Sequence, residues 1–161
     1  MPEALALLLL FAHRVQDALD GGELEFDSRE ELIFARQVAQ PFSWERLRDF
    51  YAGLDILTPR WRALLSEAKS VGEWSEQHRA MARYGIERYW LQAVSDLDLV
   101  SRAKMIVAGC LLVIHLGADT VSVAQLYAKE IENSAENMDA ILDGAYSHPA
   151  LTDAHLLGGV L

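Results

Sequence analysis

Tyr127, Glu130, Ser134 and Asn137 follow one another three or four residues apart, beside an apolar row of Ile131, Met138 and Ile141. On a helix that spacing turns all four polar side chains to one side. A carboxylate and a carboxamide on one face can hold a cationic or amide-bearing group, such as a substrate lysine or the amino-acid end of a cofactor, through charge-assisted hydrogen bonds. The same side chains can instead satisfy backbone groups or helix ends inside a bundle, because Ser and Asn mark breaks between abutting helices. Asn133 adjoins the strip and belongs to the same candidate ligand-binding set. His115, one turn below Leu111, completes the set if the fold brings it near His13 or Glu130. At a helix C-terminus a lone histidine otherwise interacts with the last carbonyls and the negative end of the dipole.

No further pattern in the chain carries a reaction. No nucleophile has a neighbouring base, no two carboxylates are arranged for acid–base work, and no glycine-rich turn cradles a phosphate. Residues 106–116 followed by Gly117 imitate the strand and turn of a dinucleotide site. Such a site needs several glycines and an immediate helix, whereas Ala118-Asp119-Thr120 reads as an ordinary helix stop and start. The histidines, His13, His78, His115, His148 and His155, lack His-x-x-x-His spacing, so no metal site is expected. Cys110 stands alone in an apolar run and reads as a small packing residue. No catalytic residue is assigned.

The elements that must position the strip are helices throughout. Leu5, Leu8, Leu9, Ala12, Val15 and Leu19 recur at helical spacing, and Gly21-Gly22 ends that first helix. Ser28 and Glu31 form a capping-box pattern for a second helix, closed by Pro41. Ser43 caps a third with Trp44, Leu47, Tyr51 and Leu54 on its stripe, and Thr58-Pro59 opens a fourth carrying Trp61, Leu64, Leu65 and Ala68. A fifth, over about 75–95, sets Ala82, Ile86, Tyr89, Trp90 and Ala93 against Arg79, Arg83 and Glu87. The sixth, over about 98–116, is apolar nearly all round from Met105 to Ile114, as a helix surrounded by helices must be. Residues 121–145 form one long or two abutting helices, and Thr152 starts a short last one after Pro149. The expected fold is an all-α, antiparallel multi-helix bundle of about seven or eight helices around an apolar central helix, with residues 1–161 as a single helical domain.

Composition narrows the function classes. A hydrophobic content of 52% with 24% charged residues is that of a globular chain. A net charge of −10 argues against nucleic acid, since affinity for a phosphate backbone rests on Lys and Arg. The third helix carries only Arg46 and Arg48 against Glu45 and Asp49, which is no recognition helix. The apolar run at 105–114 falls short of the ~20 residues that span a bilayer. The apolar start at 4–12 is flanked by Glu3, where a signal peptide has basic residues. A cytoplasmic location without membrane attachment is expected, with oligomerisation left open.

The stretch Leu126-Tyr127-Ala128-Lys129-Glu130-Ile131-Glu132-Asn133-Ser134-Ala135-Glu136-Asn137-Met138 resembles the C-terminal signature of the flagellin lysine-N-methylase family, L-Y-S-R-E-I-E-H-S-x-E-N-L. The leucine-rich opening at 7–19, the segment Tyr84-Gly85-Ile86-Glu87-Arg88-Tyr89-Trp90 and the apolar helix after Arg102-Ala103-Lys104 agree in position and character. The resemblance implies S-adenosylmethionine-dependent methylation of lysines in flagellin or another protein substrate, with an iron–sulfur or metal centre held by an upstream cysteine cluster. A chain with Cys110 alone cannot hold such a cluster. It is therefore expected to be either the C-terminal portion of a longer protein, serving substrate recognition or active-site support, or a shortened relative that has lost the chemistry, and in both cases inactive by itself. The chain departs from the signature at Ala128, Lys129, Asn133 and Ala135, and Asn133 replaces the histidine that could have done acid–base or ligand chemistry. The alternative is a small-molecule-binding or dimerisation module without catalysis, its pocket lined by an apolar central helix flanked by Trp44, Trp61, Trp74 and Trp90.

Overall fold

The computed structural model describes residues 1–67, 73–117 and 119–161. Among them the chain forms α1 (Pro2–Leu19), α2 (Ser28–Val38), α3 (Trp44–Ala52), α4 (Pro59–Glu67) and α5 (Glu76–Gly85). There follow α6 (Ala93–Asp96), α7 (Leu99–His115), α8 (Thr120–Tyr127), α9 (Ala135–Ser147) and α10 (Asp153–Val160). Two of these run on directly as π-helical turns, α5 through Ile86–Trp90 and α8 through Ala128–Glu132. A 3-10 turn, Pro149–Leu151, precedes α10. No strand occurs among the described residues, and no helix there is long and apolar enough to cross a membrane.

The expected bundle around a central helix is what forms. Asp98 starts α7 by accepting the Ser101 amide at 3.1 Å, and Gly117, at φ +61°, turns the chain away at its end. Of its residues all but Val100 are buried, and α1, α3, α5, α8, α9 and α10 pack around it. Each buried Leu, Ile or Val contributes about 1.5–3 kcal/mol, so this one element supplies a large share of the core. Its charged residues find partners, although the Arg102 Nε is buried without one among the described residues. Arg102 reaches Asp96 and Gln92, and Lys104 donates to the Ala145 carbonyl at 2.9 Å.

Side-chain pairs fix the direction of the outer helices. Glu3 of α1 meets Arg36 of α2 at 2.6 Å, while Arg14 of α1 meets Glu31 of α2 at 2.6 Å. The start of one helix thus faces the end of the other, and the pair is antiparallel. Gln16, near the end of α1, likewise accepts the amide of Leu99 at the start of α7.

Several boundaries differ from the sequence reading. Asp27, not Ser28, caps α2, accepting the amides of Arg29 and Glu30 at 2.9 and 3.0 Å. That helix stops at Val38 before Pro41 is reached, because the Gln40 amide is drawn to the Ala154 carbonyl of α10 at 2.9 Å. The single helix expected over 75–95 breaks after its π-helical turn, and Leu97 takes a left-handed φ of 57° before α7 begins. The stretch 121–145, expected as one long or two abutting helices, is the latter, parted at Asn133 and Ser134. Ala68, placed on the fourth helix's stripe, and Ala118 lie outside the described residues.

Candidate functional site

The strip on α8 and α9 faces inward. Glu130, with no exposed surface, accepts the Leu57 amide at 2.7 Å and the Thr58 hydroxyl, tying the π-helical turn to the start of α4. Asn137 is buried and makes three hydrogen bonds with its amide. It accepts the Asp55 amide at 2.9 Å and donates to the carbonyls of Asp55 and Glu130, both at 2.8 Å. Ser134 caps α9 by accepting the Asn137 amide at 3.2 Å. The loop between α3 and α4 has no secondary-structure ladder of its own, so its main-chain groups take partners from these side chains. Glu130 and Asn137 therefore form a clasp on residues 55–58, with Ser134 capping the helix that carries Asn137, and their polar atoms are engaged there rather than open to a ligand.

The remaining candidates lie elsewhere. Asn133 is exposed at the exit of the π-helical turn. Tyr127 is buried against Tyr51 and Trp61, and burial holds its hydroxyl well above the usual tyrosine range. His115 does not join the strip or His13. Its ring stacks on Trp44 with centroids 5.2 Å apart and packs on Phe42, and its Nδ1 meets the Leu111 carbonyl at 2.8 Å. Burial pushes its pKa down, the Leu111 contact partly opposing this.

A groove that no sequence pattern marked opens where α1, α2 and α10 meet. It encloses about 510 Å3, within the range of small-molecule sites. Leu10, Phe34, Val38 and Leu157 give it an apolar wall. Two polar clusters line it as well. At one, His13 Nε2 lies 3.1 Å from Asp153 Oδ1, and Lys104 Nζ lies 3.5 Å from the same oxygen. Burial pushes the Asp153 carboxyl up, but His13 and Lys104 outweigh it and leave the group below the usual carboxylate range. At the other, Arg14 Nε donates to Glu31 Oε1 at 2.6 Å, while Glu31 Oε2 is buried without a partner among the described residues.

A histidine oriented by a carboxylate can exchange a proton with a bound group. Nucleophilic chemistry would need an activated hydroxyl or thiol as well, and the groove's Thr152 hydroxyl is occupied as the cap of α10, accepting the His155 amide at 3.3 Å. Among the described residues no three His, Cys, Asp or Glu side chains gather so as to hold a metal ion. Cys110 is fully interior, and burial pushes its thiol up to about 12, so it offers no thiolate to an iron–sulfur centre. The strip does not fit the amino-acid end of S-adenosylmethionine either, since Glu130 and Asn137 already hold the main chain.

Sequence reasoning missed the groove because His13 and Asp153 are 140 positions apart. One signal was present. Glu31 and Ala35 are the buried residues of α2, one turn apart, which sets a carboxylate on the face that should be apolar. Comparison of the chain with protein-family models, with curated proteins and with solved structures finds no match.

Proposed function

We propose that this chain is the helical recognition domain of a lysine-N-methylase-like protein, binding its target in the groove between α1, α2 and α10 and supplying no reacting group of its own. The likeness of residues 126–138 to the family signature supports the affiliation. The observation that carries the recognition role is the groove, a cleft of about 510 Å3 with an apolar wall and the ionisable groups His13, Arg14, Glu31 and Asp153 among its lining. In this reading the signature residues maintain the fold, Glu130 and Asn137 by clasping the loop before α4 and Ser134 by capping α9.

Titration of a lysine-containing flagellin peptide against the chain by calorimetry tests the proposal. Saturable binding is expected, with loss in Ala154→Trp, which fills the groove. Absence of peptide binding, or binding indifferent to that substitution, overturns it. A second reading, a small-molecule-binding module, is favoured by the apolar lining of the same groove. Native mass spectrometry separates the two, since a retained apolar ligand that competes with the peptide supports the second.

A further inference from the structure

We propose that Glu31 makes the groove selective for an amine, a ligand whose apolar chain lies on Leu10, Phe34, Val38 and Leu157 and whose protonated amino head is drawn to the Glu31 carboxylate. This rests on the reading of the groove as the recognition site and adds the chemistry of the group recognised.

The first observation is an unfilled valence. The Glu31 side chain is only 8% exposed, and among the described residues its Oε2 has no hydrogen-bond partner, although Oε1 is held by Arg14. Buried polar atoms are nearly always paired, and a carboxylate oxygen left alone in a low-dielectric setting is costly. A donor from a ligand removes that cost, and a charged donor does so most strongly.

The second observation is charge. Glu31 lines the groove and also an adjoining hollow of about 520 Å3, which Asp17, Glu23, Glu25, Asp27 and Glu30 surround. Among the described residues Arg14 is the only basic one lining that hollow. The field at this end of the groove therefore attracts cations and repels carboxylates. A cationic head on an apolar chain matches both this field and the apolar wall of the groove, which is the form of an organic ammonium.

The two ends of the groove are not equivalent. Asp153 already has His13 at 3.1 Å and Lys104 at 3.5 Å. Glu31 has one cationic partner, and the Arg14 side chain is 47% exposed on a flexible stem. Arg14 can turn outward into solvent while keeping its own charge hydrated, opening Glu31 to the incoming head group.

The test compares n-hexylamine, n-hexanol and hexanoate, which share an apolar chain and differ in the head, by calorimetric titration of the whole chain. Hexylamine is expected to bind about tenfold tighter than hexanol, with hexanoate weakest. In Glu31→Gln the preference for amine over alcohol is expected to fall to about twofold or less. Arg14→Gln, which removes the competing guanidinium, is expected to raise hexylamine affinity several-fold, and it provides the reading if Glu31→Gln does not fold. Equal binding of amine and alcohol by the native chain, preference retained in Glu31→Gln, or unchanged or weaker amine binding in Arg14→Gln overturns the amine assignment while leaving the groove a site. If neither amine nor alcohol binds, the groove is no ligand site and the proposed function falls with it.

Discussion

Asn137 grips Asp55 at both faces of its main chain, accepting its amide at 2.9 Å and donating to its carbonyl at 2.8 Å. A carboxamide is the side chain that can do this, having an acceptor and donors side by side. Its second donor reaches the Glu130 carbonyl, and the Glu130 carboxylate in turn holds Leu57 and Thr58, so two residues of the signature-like stretch close one loop.

Asn137→Asp is expected to be more damaging than its small change in size suggests. The variant keeps an acceptor for Asp55 but sets a carboxylate oxygen against two carbonyls in the interior. A loss of about 3 kcal/mol or more is expected from urea unfolding, and a smaller loss in Ser134→Ala, which removes a cap worth about 1 kcal/mol.

Gly158→Ala is expected to be among the most destabilising single-methyl additions. A Cβ there would come within 1.7 Å of the Gln40 carbonyl oxygen, so α10 or the segment after α2 must move. Helix propensity favours alanine by about 1 kcal/mol, and the clash outweighs it. A melting temperature lowered by several degrees checks this, whereas a rise would show that the two segments are not held in contact.

Stability is expected to fall as pH drops below 6.5. Burial lowers the pKa of His115 and of His78 in the folded chain from the usual 6.5, so the folded state prefers both rings neutral. The unfolded chain then binds more protons between the lowered values and 6.5, and stability gained above 6.5 is lost as pH falls through that window. Urea unfolding at pH 7.5 and pH 5.5 measures the difference, and His115→Gln is expected to make it smaller.

Cys110 is expected to be inert in the native chain. With its thiol buried and pushed up to about 12, almost no thiolate exists at neutral pH. A colorimetric thiol reagent should react fully only after unfolding, and rapid reaction with the folded protein would mean that the centre of α7 opens to solvent.

The amino-acid sequence by itself determined the helices and most of their ends. Ser43 caps where expected, and Asp98 and Thr152 cap at the helix starts that were expected, because a cap is decided by side chains within a few positions of the amide they receive. The run from Met105 to Ile114 identified the buried helix because apolar residues on every face leave it no solvent side. Which way a polar strip faces was decided only by the tertiary structure. Spacing put Glu130 and Asn137 on one side of a helix, but only packing brought the loop before α4, 72 to 82 residues earlier, to meet them. The groove is tertiary in the same sense. It exists because α1, α2 and α10 converge, and no local property of His13, Glu31 or Asp153 encodes which of them become neighbours.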